Sequence, residues 1–233
     1  MTSTIVFDFD GTVAVGHGPV LAYAREAERL AGGGLLARVE ETIERFERGS
    51  ETAFRDGYDI VAVRGAEAGL SPDELQRAYL ASRDALGRPD APVDIAPGLG
   101  DLLAALPASV RVVLATNAPD LGVERVLGAW GVRDLFDELL FDARKPAGME
   151  RIIRRALADG PVLSVGDIVE NDLAPAAALG ADTALVGATA QTSPAEVTMR
   201  AASLADLADP ILAWARAHAD RPVPPGTNTP SER

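Results

Sequence analysis

The sequence predicts an α/β fold, a doubly wound parallel sheet that carries an α-helical insertion, on three observations. Short apolar runs rich in β-branched residues recur at 4–7, 110–115, 139–141, 162–165 and 183–186, each long enough for a buried strand and too short for a helix. Amphipathic segments at 121–130, 148–158 and 171–179 separate the last four runs, and such strand–helix alternation is the pattern of a parallel sheet. Between the first run and the rest lies a stretch of about seventy residues with helical spacing and no strand signal.

The first run, TIVF, passes directly into Asp8, Phe9, Asp10, Gly11 and Thr12. Two carboxylates one residue apart at the end of a buried strand repel and are costly to desolvate. Either they meet water at an open strand end, or something positive belongs between them. Over 20–88 the apolar residues fall at helical spacing, as in Leu21, Ala24, Ala27 and Leu30, then Leu36, Val39, Ile43 and Phe46, and later Leu75, Ala78, Tyr79 and Leu86. Ser71, Pro72 and Glu74 form a strong helix start, with Ser71 as N-cap and Glu74 completing a capping box. The Pro/Gly-rich linker GRPDAPVDIAPG closes the insertion. The expected division is therefore a core from 1–16 and 93–218 with a helical domain from 17–92. A helix is expected near 204–217, and the polar, proline-rich 219–233 is expected not to pack.

Composition narrows the function. With 35 acidic against 22 basic residues and a net charge of −13, the chain lacks the basic face that a nucleic-acid partner requires. It has no cysteine, hence no disulfide, thiolate zinc site or thiol nucleophile, a pattern at home in a reducing cytoplasm. No apolar run reaches the ~20 residues of a bilayer span and no basic leader precedes the first strand, so a cytoplasmic protein without a membrane partner, monomeric or homodimeric, is expected. Neither a G-x-S-x-G elbow nor a G-x-x-x-x-G-K-[ST] loop is present. Nearly all basic residues are arginine, and Lys145 is the one lysine.

Three further strand ends carry polar residues. VVLATNAPD puts Thr116 and Asn117 between a buried run and a helix, where a hydroxyl and helix-start amides make an anion site. FDARKPAG delivers Lys145 just ahead of a helix. VLSVGDIVENDLA ends a strand at Asp167, with Asp172 five residues on. Ligands of open parallel sheets bind beyond the carboxyl ends of the strands, so all four segments are expected on one rim. Singly they are weak, since Asp10-Gly11 is a common turn and Thr116-Asn117 a common helix cap; their order and spacing carry the argument.

Together DFDGT, the strand ending in ATN, the Lys-Pro pair and GDxxxND resemble the four motifs of the haloacid dehalogenase superfamily of phosphohydrolases, over residues 4 to about 186. The resemblance implies a Rossmann-like core with a helical cap after the first motif. It also implies Asp8 as nucleophile, Asp10 as general acid/base, Thr116, Asn117 and Lys145 at the substrate phosphate, and magnesium held at the acidic fourth motif. Four carboxylates with oxygen-only donors at a phosphate site suit Mg²⁺, with Asp8, Asp10, Asp167 and Asp172 as the expected ligands. The implied activity is hydrolysis of a small phosphorylated metabolite through an aspartyl-phosphate. A phosphosugar mutase is the alternative, and a non-catalytic phospho-accepting domain a weaker one. Asp10 argues against dehalogenase and phosphonate-cleaving relatives, which lack an acid there. Two positions depart from the usual pattern, VAVGHGP after DGT and Ile168 after Gly-Asp. His17 in that departing loop is expected to be a solvated histidine rather than a substrate contact, and Arg55, Arg64 and Arg83 are candidates to clamp a second anion.

Overall fold

The computed structural model describes residues 2–51, 53–187 and 189–219. In chain order the first elements are strands β1 (Thr4–Phe7) and β2 (Ala14–Val15), then helices α1 (Gly18–Ala31), α2 (Leu35–Glu47), α3 (Gly57–Glu67) and α4 (Pro72–Asp84). There follow β3 (Asp94–Ile95), α5 (Leu99–Ala105), β4 (Arg111–Ala115), α6 (Val123–Ala129), β5 (Glu138–Leu140), α7 (Ala147–Leu157), β6 (Val162–Gly166), α8 (Ala174–Ala178), β7 (Asp182–Val186), β8 (Met199–Ala201) and α9 (Leu204–Ala219). Six strands form one sheet in the order β5-β4-β1-β6-β7-β8, with every pairing parallel. β2 and β3 pair antiparallel outside it, where the chain leaves for the helices and returns.

β1 is central because it is buried on both faces, and its side chains alternate between two cores as the period of two demands. Ile5 and Phe7 join a cluster with Leu99, Val123, Leu127 and Ile211, whereas Val6 joins Met149, Ile153 and Ala176 on the other face. The four inserted helices have a third cluster of their own, including Tyr23, Val39, Ile43, Ile60 and Val61. The capping box expected at α4 is formed, with Glu74 N–H donating to Ser71 Oγ at 3.3 Å and Ser71 N–H to Glu74 Oε2 at 2.9 Å.

The differences from expectation are local. The helix expected over 171–179 begins instead as a π-type turn, Val169–Leu173, whose last bond runs from Ala174 N–H to Val169 C=O. α8 starts only at Ala174, next to Pro175, which lacks an N–H. α5 and β8, of seven and three residues, are additional elements outside the expected alternation. The segment from 220 onward lies outside the described residues. No helix among those described is long and apolar enough to cross a membrane.

Phe7 is fully buried and meets Phe136 edge-on at 6.4 Å. Phe7→Ala is expected to cost about 3–5 kcal/mol, read as a lower urea midpoint at unchanged slope.

Candidate active site

Register sets the site. Phe7 lies level with Leu114 of β4 and Val165 of β6, so Asp8, Thr116 and Asp167 leave the sheet at one edge. The β1 ladder continues for one further bond, Asp8 N–H to Val165 C=O at 2.9 Å. The chain then turns: Phe9 is buried and stacks on Trp130, and the N–H groups of Val13 and Ala14 both donate to Phe9 C=O. With Phe9 turned inward, the flanking carboxylates are left at the edge. Gly11 makes the turn at φ +84°, and a Cβ there would lie 2.2 Å from Asp167 Oδ2, so glycine serves both backbone and space. Gly166 likewise admits Asp172, whose Cβ would lie 2.4 Å from a side chain at that position.

Lys145 is the hub. Its Nζ donates to Asp8 Oδ1 at 2.5 Å and to Asp172 Oδ1 at 2.6 Å, and its side chain is 2% exposed. Asn117 holds the lysine backbone from the neighbouring loop, its Oδ1 accepting from Lys145 N–H at 2.7 Å and its Nδ2 donating to Lys145 C=O at 3.4 Å. Asp142 and Arg144, at φ 46° and 55°, bend the loop that delivers the lysine. Thr116 is buried and its Oγ1 accepts from Ala118 N–H at 3.0 Å, which leaves its own O–H free to donate.

Ligand atoms of Asp8, Asp167 and Asp172 lie within 4.8 Å of one another. Burial pushes the Asp8 carboxyl up to about 7 against the pull of Lys145. Burial, then the charges of Asp8 and Asp172, push Asp167 well above the usual carboxylate range. Burial raises Asp172 as well, again opposed by Lys145. Burial alone would lower the Lys145 ammonium, but the two carboxylates outweigh it and hold it above its ordinary value. Three carboxylates thus face one cation, and Asp167 Oδ1 is buried with no hydrogen-bond partner among the described residues. A buried oxygen without a donor, and three carboxyl groups sharing one ammonium, fit a hard divalent cation on oxygen ligands.

The fourth expected metal ligand faces elsewhere. Asp10 is outside the trio, and its Oδ1 accepts from Tyr58 O–H at 3.0 Å and from Arg83 Nη1 at 2.8 Å. Arg83 comes from α4, is fully buried, donates also to Tyr58 Oη at 2.8 Å and lies between the rings of Phe9 and Tyr58. The site floor and the helices therefore enclose one cavity of about 490 Å³, lined by all seven sequence-derived candidates.

The sequence profile of the haloacid dehalogenase-like hydrolases matches residues 2–180. The chain belongs to this family. A search of curated protein sequences returns no match. Structures that share the fold of this hydrolase include a predicted phosphoglycolate phosphatase from Haemophilus somnus 129pt, at 20% identity and TM-score 0.62 over 89% of this chain and 97% of that one. CbbY from Rhodobacter sphaeroides in complex with phosphate matches at 22% and 0.61 over 89% and 96%. YfnB from Bacillus subtilis bound to magnesium matches at 16% and 0.61 over 90% and 98%.

In this hydrolase two of the three candidate anion clamps are engaged away from the cavity's free space. Arg64 pairs with Glu67 and reaches Thr42, and Arg83 is sealed against Asp10. Arg55 lines the cavity paired to Asp59 at 3.0 Å. His17 also lines it, with Nε2 2.7 Å from Glu47. Tyr58 was invisible to sequence reasoning, since nothing local ties it to Asp10, forty-eight residues earlier.

Two expectations follow from this electrostatics. The folded Asp8 and Asp167 carboxyls titrate above their unfolded values, so the native state binds more protons between about pH 4 and pH 7. The metal-free protein therefore loses stability as pH rises through that window. In chelator, Asp167→Asn removes a buried carboxyl that the metal-free site cannot compensate and should raise stability at neutral pH by about 1–3 kcal/mol, or several degrees in Tm, while abolishing any Mg²⁺-induced Tm increase. Conversely, Arg83→Met is expected to cost about 3 kcal/mol by breaking a buried pair. Adding Asp10→Asn should then recover part of that loss in a double-mutant cycle.

Proposed function

We propose that this hydrolase is a Mg²⁺-dependent phosphatase of a small phosphorylated metabolite, working through a phosphorylated Asp8. The observation that carries the reading is Lys145 held between Asp8 and Asp172, beside the unpartnered Asp167, on the floor of the cavity. Asp8, Asp167 and Asp172 would hold the metal, which when bound supplies Lewis-acid neutralisation of phosphoryl charge. The phosphate complex of CbbY and the magnesium complex of YfnB support the ligand classes.

Each residue then has a task. Lys145 fixes the orientation of Asp8, whose carboxylate attacks phosphorus as the ester P–O bond breaks, forming an acyl phosphate in place of one harder displacement. The Thr116 hydroxyl and the Lys145 ammonium donate to phosphoryl oxygens as charge spreads over them. Asn117 acts through the Lys145 backbone. Asp10 keeps Oδ1 on Tyr58 and Arg83, so Oδ2 is the oxygen that carries the proton to the leaving alkoxide and takes one back from the water that hydrolyses the acyl phosphate. Residues 17–92 serve as a cap over the core of 1–16 and 93–218, excluding water while the ester is cleaved.

Asp8→Asn should lower Mg²⁺-dependent phosphate release from a panel of phosphomonoesters by about 10³-fold or more, since the acyl phosphate is then unavailable. Retained turnover in that variant would exclude Asp8 as nucleophile, and isomerisation of a sugar phosphate without phosphate release would place the protein with the mutases.

A further inference from the structure

The two ends of the cavity differ in chemistry. The sheet end carries the carboxylates, Thr116 and Lys145; the helical end is walled by Val20, Ile43, Phe46 and Ile60 with Tyr58 and Tyr79. Tyr58 commits its hydroxyl to Asp10 and Arg83, which leaves its ring as the surface it offers. Among the described residues three side chains able to carry positive charge line the cavity, and each is already matched to an acid. Lys145 serves Asp8 and Asp172, Arg55 serves Asp59, and His17 faces Glu47. Glu47 and Asp56 add acidic groups at the same end.

A leaving group with a second phosphate or a carboxylate would be desolvated there beside carboxylates, with no unmatched cation to receive it. An apolar body would instead displace water from an apolar wall. Resting on the phosphatase reading above, we infer that the substrates are monoesters of uncharged alcohols with an aromatic or branched aliphatic body, and that dianionic-plus-anionic esters such as phosphoglycolate are rejected. This specificity differs from the one named for the Haemophilus structure. Among the described residues no arginine of α1–α4 lines the cavity, and Arg55 at its wall is paired to Asp59.

The test compares benzyl phosphate and 3-methylbutyl phosphate with phosphoglycolate and glucose 6-phosphate, all esters of primary alcohols. With Mg²⁺ the wild-type protein should show kcat/KM roughly tenfold or more higher for the first pair. Phe46→Lys, which places a cation at the helical end, should shrink or reverse that ratio; an unchanged ratio would overturn the assignment of specificity to this wall. Calorimetric binding of the same four esters to Asp8→Asn supplies a readout that needs no turnover. If no ester is hydrolysed but the apolar pair binds more tightly, the phosphatase reading falls and the specificity stands. If phosphoglycolate or glucose 6-phosphate is turned over or bound as well as the apolar pair, or if none of the four binds, the specificity is overturned.

Discussion

One ammonium holds this site together. The chain places three carboxylates at one sheet edge in a buried setting, and like charges so close cannot all remain ionised without compensation. Lys145, between Asp8 and Asp172, answers part of that repulsion. Much of the surrounding structure exists to deliver it: two residues at positive φ in the preceding loop, and Asn117 gripping its backbone from both sides. The compensation is incomplete by design of the residue set, because Asp167 keeps a buried oxygen with no donor. That shortfall of positive charge is what the proposed divalent cation would make good.

A second ion pair, buried on its arginine side, couples the inserted helices to the sheet edge. Arg83 and Tyr58 reach Asp10 from α4 and α3, so the carboxylate proposed to move protons is oriented by the unit above the cavity rather than by its own strand. Arg83 is fully buried and has Nε and Nη2 without partners among the described residues, an arrangement that is costly unless the pair persists. Seating of the helices and orientation of Asp10 are thereby one event. Catalytic competence would then follow the position of the helices.

Much of this was legible in the chain. The strand ends at Asp8, Thr116 and Asp167 follow from short apolar runs that terminate in polar residues, and the capping box at Ser71 follows from local hydrogen-bond chemistry. α8 starts later than the local pattern predicts because Pro175 lacks an N–H and because the Ser164 hydroxyl of β6 donates to the Asp172 carbonyl in the π-type turn that follows. Spacing along a strand end says that Asp8 and Asp10 share an edge, not that the Asp10 carboxylate turns to Tyr58 and Arg83.

Sequence alone therefore determined the alternation of strands and helices, the helical insertion and the set of chemical groups at one rim, because those depend on periodicity and on local backbone preference. Tertiary structure decided their division of labour. Only the folded chain turns Asp10 to Arg83 rather than to its neighbour Asp8 and, among the described residues, leaves Asp167 Oδ1 unpartnered and sets Lys145 between Asp8 and Asp172, because these depend on contacts between residues distant in sequence.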